Sequence, residues 1–363
     1  MRHSLLLPLL ALAGLAFAVP AAASVIVDRN TSDVGLQIDA DGQALVTYTA
    51  AGQQHRVLAW GALNALAPTR SRAQSKFKLD YSGGYASHYQ QNPQVKRTLA
   101  HLQLLKARSQ RATASGDDEL RYRLGHSIAA DYRTLSRLRA RASKFSGTCG
   151  PYDGPGLPWL VLACKAPDGS YWALQSWQRM LPNLGETPWL PEQSVWELHL
   201  SHWQGPIEEL DVHLDWVNTQ KARHVFGRLT YLGRPVYGFG SKSDGNPTDT
   251  YGRNIYLDVL NGAYGPGWHR ENSFLAHNPG GNFCYGLYPH APYPGYPAGD
   301  RPAGNGDAYR ATVIGPGVLP DVSWQGTDIG EYDLADAAKV GYEQQMNALE
   351  DQYAAGDKLC HQH

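Results

Sequence analysis

Short turns marked by glycine, each set between runs of β-forming residues, recur three times along this chain and point to antiparallel sheet. Asp41-Gly42 lies between Leu36-Gln37-Ile38 and the run Ala44 to Thr49, and Ala51-Gly52 then leads into Arg56 to Trp60. Asp-Gly between alternating segments is a strong hairpin signal, because the turn needs positive φ and Gly adopts it without a steric cost. The design returns where Pro167-Asp168-Gly169 separates Val161-Leu162-Ala163 from Tyr171-Trp172-Ala173-Leu174. It returns again where Leu232-Gly233 separates Arg228 to Tyr231 from Pro235 to Phe239. No regular repeat length links the three, so the pattern predicts a mainly β, antiparallel, sandwich-like body and not a propeller or solenoid.

Residues 95 to 144 have a different texture. Val95, Leu99, Leu102 and Leu105 recur at helical spacing, and Leu120, Leu124, Ile128, Leu135 and Leu138 form a second stripe. Ser115 with Asp118 three residues on reads as the second helix start. This segment holds twelve Lys or Arg against four Asp or Glu in a chain whose net charge is −1, so the remainder is acidic. We expect a basic α-helical hairpin inserted into the β body. A short internal helix is expected from Thr248 to Asn261, with Tyr251, Ile255 and Val259 on one face and Gly262 ending it. A C-terminal helix is expected from Leu334 to Ala355. Residues 289 to 306, rich in Pro and Gly, read as a long loop. The chain thus divides into a leader (1–23), a β-rich body (24–94 with 145–330), the basic insertion (95–144) and a C-terminal helix with its tail (331–363).

The leader sets the compartment. Met1-Arg2-His3, the apolar run Leu5 to Val19 and the triplet Ala21-Ala22-Ala23 have the form of a secretory signal cleaved after Ala23. A secreted or periplasmic protein with no transmembrane segment after cleavage is the expectation. Export also gives meaning to the four cysteines, an even number in an oxidising compartment. Three connectivities are open to them. The preferred one joins Cys149 to Cys164 across a short Gly/Pro-rich loop and Cys284 to Cys360, fixing the tail to the body. The pattern holds no C-x-x-C pair, and Cys360-His361-Gln362-His363 is too short and terminal to fill a zinc tetrahedron, so no metal or other cofactor is expected.

Seven of the ten tryptophans fall between Trp159 and Trp216. Trp196 and Trp216 share an alternation with leucines and read as core. Trp177, Trp189 and Trp203 sit at strand ends or beside Pro and Gly and read as exposed rings able to stack on sugars. The stretch Gly265 to Asn272 adds Trp268, His269 and Arg270 to the candidate ligand-binding residues, with His277 and His290 near in sequence. The Gln204-Gly205-Pro206 turn suggests that the flanking strands pair. That pairing would bring Glu197, His199, Asp211, His213 and Asp215 onto one polar sheet face, able to act as acid and base on a glycan or to hold a metal. A solvated outer face reads the same way. Asp244 to Asp249 offers oxygen ligands at loop spacing without the EF-hand pattern.

The chain has no G-x-S-x-G elbow, no H-E-x-x-H, no Walker loop and no dinucleotide fingerprint after a strand. An exported non-catalytic binding module for a glycan or an envelope partner is therefore the leading expectation. A secreted polysaccharide hydrolase or lyase built on the His/carboxylate face is the alternative. The basic insertion suits a polyanionic envelope polymer. Nucleic acid is not an expected partner.

Overall fold

The turn at Gly42 takes φ 71° and the turn at Gly169 takes φ 84°, values that bring the flanking strands back on themselves. The computed structural model of the chain describes residues 24–67, 71–142, 144–179, 195–217, 219–220, 222–236, 252–262, 266–275, 280–287, 306–353 and 360. Residues 1–23, Asp244 to Asp249, His277 and residues 289–305 lie outside them. Strands β1 (Val25–Arg29), β2 (Ser32–Ile38), β3 (Ala44–Ala50), β4 (Gln53–Trp60) and β5 (Lys78–Asp80) precede α1 (Pro93–Ser115) and α2 (Asp118–Ala142). There follow β6 (Leu160–Lys165), β7 (Tyr171–Trp177), β8 (Glu197–Trp203), β9 (Glu209–Val217), β10 (Ala222–Tyr231) and β11 (Arg234–Pro235). The chain continues through β12 (Ile255–Leu260), β13 (Trp268–Phe274), β14 (Asn282–Leu287), β15 (Ala308–Val313), β16 (Val322–Thr327) and α3 (Ala337–Tyr353).

The described strands form four antiparallel sheets: β2-β3-β4-β5; β1-β8-β7-β6; β11-β10-β14 with β9 also on β10; and β13-β12-β15-β16. The first two share a core of Leu36, Val46 and Val57 against Trp172, Leu174 and Leu198. The last two share another, of Val225 and Phe283 against Ile255, Leu257 and Val313. Ala173 and Trp203 of the second sheet join that other core, so this sheet is a middle layer covered on both sides. All seven residues of β8 are buried. The body is mainly β and sandwich-like. Among the described residues no helix is long and apolar enough to cross a membrane.

The short internal helix is replaced by a strand. Ile255 to Leu260 forms β12, paired with β13 on one side and β15 on the other. Ile255, Leu257 and Val259 enter the core while Tyr256 is buried on the opposite face. A strand buried on both faces carries a continuous apolar run with no alternation, and such a short run has no periodicity to separate it from a helix.

Asn92 caps α1 by accepting from the Gln94 amide at 2.8 Å, with Pro93 in the first turn where its missing N–H costs nothing. The helix ends at Gly116. The cap of α2 is Asp117, which accepts from the Leu120 amide at 2.9 Å, while Ser115 closes α1 instead of opening α2. Val95 and Leu102 of α1 meet Leu135 of α2, and Leu105 meets Leu124. Asp336 caps α3, accepting from Ala338 N at 2.9 Å. The cysteines stand at disulfide distance in the preferred pairing, with Cα separations of 4.9 Å for Cys149–Cys164 and 5.6 Å for Cys284–Cys360.

Candidate binding face and the buried polar junction beneath it

The face of β12 that does not enter the core presents Tyr256 and Asp258. Asp258 pairs in register with Arg270 of β13 and Arg310 of β15, and its carboxylate accepts from both guanidinium groups. Arg270 Nε reaches Oδ1, while Arg310 reaches Oδ2 through Nε at 3.1 Å and Nη2 at 2.9 Å. Two cations on one carboxylate leave the face positive. The Arg310 guanidinium is also held between two indoles, 4.4 Å from the Trp268 centroid and 5.0 Å from that of Trp159. Trp159 stacks on Trp177 at 5.5 Å, and Trp177 stacks on His199 at 5.7 Å. A ladder of rings and one cation therefore runs from the half-buried Trp268 and Trp159, with Arg310 21 % exposed between them, into the protein.

Its inner end is a knot of polar side chains at the junction between the middle sheet and the second core. Asp321 is fully buried and accepts from Trp177 Nε1 at 2.9 Å, Ser24 Oγ at 2.6 Å, Gly315 N at 3.2 Å and Arg179 Nη2 at 3.2 Å. Gln175 clamps its backbone, donating to the carbonyl at 2.8 Å and accepting from the amide at 2.9 Å. Arg179 also donates to Ser24 Oγ at 2.9 Å and to His199 Nδ1, which leaves the imidazole proton on Nε2, 3.6 Å from Glu197 Oε2. Burial, reinforced by the Arg179 charge, lowers the His199 pKa and keeps the ring neutral. Burial alone would raise Glu197, but the His199 contact and the Arg179 charge outweigh it and bring the carboxyl down to about 2. Arg29 completes its environment at 3.0 Å.

Ser24, His199 and Glu197 have the order of a nucleophile, a base and an acid, with Ser24 Oγ 3.2 Å from His199 Nδ1. All three are at most 1 % exposed. Hydrolysis needs the hydroxyl open to a carbonyl, and here Arg179 and Asp321 already occupy it. This arrangement braces two layers of the fold.

His202, on the other side of β8, is similarly closed in. Its ring stacks on Trp172 at 3.8 Å, Nε2 meets Ser170 Oγ at 2.9 Å, and burial brings its pKa down to about 4. Between that value and the ordinary 6.5 the unfolded chain binds the extra proton, so the stability held at this ring is complete above pH 6.5 and lost as pH falls through 4. Glu197 extends the loss from about 4.5 down to about 2. Measured as the difference in stability from a His202→Gln protein, the share held at His202 is expected to decline by on the order of 3 kcal/mol as pH falls from 6.5 through 4. A His202→Gln profile that keeps the same slope between pH 6.5 and 4 would assign the loss elsewhere.

A second buried cluster lies under α3. His224 Nδ1 is 2.7 Å from Asp215 Oδ1 and its Nε2 is 3.7 Å from Glu350 Oε1. Glu343 reaches the Trp216 amide at 3.4 Å. Burial, then the Asp215 charge, pushes Glu343 up to about 7; burial, partly offset by His224, does the same to Glu350. The Cys284 sulfur lies within 4.8 Å of the ligand atoms of His224 and Glu350, but it belongs to the disulfide and is no thiolate.

The proposed sheet face is divided between three places. β8 pairs with β1 and β7, and β9 pairs with β10, so the two strands flanking Gly205 are not partners. Glu197 and His199 belong to the polar knot, Asp215 to the cluster under α3, and Asp211 and His213 to a half-exposed pair 2.9 Å apart beside Tyr353. The alternation of β8 was correct, but its polar side meets the second core and not solvent. For the same reason Trp177 and Trp203, expected to be exposed, are 2 % and 0 % exposed; Trp196, expected in the core, precedes β8 and is 50 % exposed. Trp216 is buried as expected. Trp189 lies outside the described residues. Trp268 and Trp177 both belong to the ladder, Arg270 stands 5.9 Å from the Trp177 centroid, and half-buried His269 turns aside to the Pro266 carbonyl at 3.0 Å.

Sequence reading missed Arg310, Trp159, Arg179, Asp321 and Ser24. Trp159 lies in the tryptophan-rich stretch and could have been weighed with it; the others carry no local pattern. No family model, curated protein or solved structure matches this chain.

Proposed function

We propose that the chain is a non-catalytic binding module, exported by residues 1–23 with cleavage after Ala23, and that it takes an acidic glycan or related envelope polyanion on Trp268, Arg310 and Trp159. The observation that carries this reading is the Arg310 guanidinium, part-exposed between two half-buried indoles. An indole such as Trp268 stacks on the C–H surface of a sugar ring, and the fork-shaped cation beside it pairs with the sugar's carboxylate, sulfate or phosphate, while Trp159, stacked on Trp177, backs that cation. Two disulfide-distance cysteine pairs fit an oxidising compartment. The basic insertion, residues 95–144, adds long-range attraction for the same ligand class.

Titration with a soluble acidic polysaccharide, polygalacturonate or heparin, and with neutral dextran tests it by tryptophan fluorescence and calorimetry at several salt concentrations. The acidic polymer is expected to bind with an affinity that falls as salt rises, and Arg310→Ala to weaken it about tenfold or more. Equal affinity in the Arg310→Ala protein, or no response to any acidic polymer, would overturn the reading. The hydrolase or lyase alternative draws on the His199–Glu197 contact. It requires depolymerisation of such a polymer that disappears in a folded His199→Ala protein.

A further inference from the structure

Ser24 follows the Ala21-Ala22-Ala23 triplet directly and is fully buried. Its nitrogen donates to Gly317 O at 3.1 Å, and its hydroxyl joins Asp321 at 2.6 Å and Arg179 at 2.9 Å. Its φ of 31° is a left-handed value that serine adopts only under constraint, and that torsion ceases to exist once residue 23 is removed.

Among the described residues, the carboxylates of this junction outnumber the cations that pair with them. Arg179 and Arg29 offset Asp321 and Glu197, and His199 is neutral. Glu208 is left over. It is 3 % exposed, and no other described residue donates to either of its carboxylate oxygens. Oε1 lies against Gly315, 2.4 Å from where a Cβ would stand, and the Gly315 amide donates to the same Asp321 oxygen that accepts from Ser24. Burial and the Asp321 charge push the Glu208 carboxyl well above the usual range, which is the condition of an acid with no cation beside it.

We propose that hydrolysis of the Ala23–Ser24 bond frees a Ser24 α-ammonium that stays enclosed against Gly317 O and Asp321 and is the missing cation for Glu208. The assignment rests on the export reading above. In the step, a peptidase of the exporting cell adds water across the amide. Hydroxyl goes to the Ala23 carbonyl and hydrogen to the Ser24 nitrogen, and the acid proton of the new carboxyl group passes to that nitrogen, leaving carboxylate and ammonium. Before cleavage the nitrogen offers one neutral N–H, already used by Gly317. Afterwards it offers two more donors and a charge. Processing thus completes the junction between the two cores as well as releasing the leader.

The test compares the natural chain with one carrying a single Gly inserted between Ala23 and Ser24, each with Glu208 intact and as Glu208→Gln, all four produced by export. Intact mass gives the first residue and thermal unfolding gives the stability. The natural protein is expected to begin at Ser24, and the extended one to melt roughly 5–10 °C lower. Glu208→Gln should lower the melting temperature of the natural protein and raise that of the extended one. An intact mass beginning elsewhere would overturn the export and cleavage reading. A mass beginning at Ser24 with equal melting temperatures, or with the same loss on extension in both Glu208 backgrounds, would overturn the charge assignment alone.

Discussion

Arg179→Met is expected to cost about 3–5 kcal/mol of folding stability, measured as a fall in the urea midpoint at unchanged slope. The side chain is at 0 % exposure and bridges Asp321, Ser24, His199 and Glu197. Met preserves length and apolar contact but supplies no donor, so Asp321 and Glu197 lose their buried guanidinium, although Glu197 keeps the half-exposed Arg29. Breaking such a pair on one side leaves an uncompensated charge, which is far costlier than losing the pair as a whole. Arg179→Lys keeps the charge without the planar fork and should fall between the two. Adding Asp321→Asn to Arg179→Met should recover part of the loss. A Met variant within 1 kcal/mol of the parent protein would show that the knot carries little net stability.

Replacing both Cys284 and Cys360 by Ser should cost about 4.5 kcal/mol, the chain-entropy estimate for a bridge spanning 76 residues. The loss should be larger at pH 8 than at pH 6. The fully buried residues of α3 are Glu343 and Glu350, so this helix docks on acids and not on an apolar stripe. Their carboxyls are pushed up to about 7, which makes the protonated form the one the docked helix tolerates. A carboxyl with a raised folded pKa contributes stability that is lost as pH rises from about 4.5 through that value. With the bridge intact the tail stays close even when the acids ionise. Hydrogen exchange in residues 337–353 should therefore accelerate between pH 6 and 8, after correction for intrinsic rates, in the bridge-free protein much more than in the parent. Equal acceleration in the two would rule out this role of the bridge.

The hairpins at Asp41-Gly42 and Pro167-Asp168-Gly169 could be read from the sequence because turn chemistry and period-two alternation are both local. Helical stripes such as Leu120, Leu124 and Ile128 were readable for the same reason. The site was not local. The alternation of Glu197, His199 and Ser201 is genuine, but one strand cannot report whether its polar side meets water or a second layer. Arg179, Asp321 and Ser24 are separated by more than 140 residues along the chain and share no pattern. Trp268 and Arg270 stood out by composition, whereas their partner Arg310 became visible only through the pairing of β12 with β15.

The pairing of β1 with β8 also dictates the order in which the protein can be assembled. Val25 lies opposite Leu200, so a chain made from its N-terminus presents β1 some 170 residues before its neighbour exists. The hairpins β2-β3-β4 and β6-β7 can close as soon as they are made, but β1 has no slot until β8 has joined β7. Loop-closure entropy makes that step slow compared with the local ones. The first strand of the sequence is thus the last piece of the middle sheet.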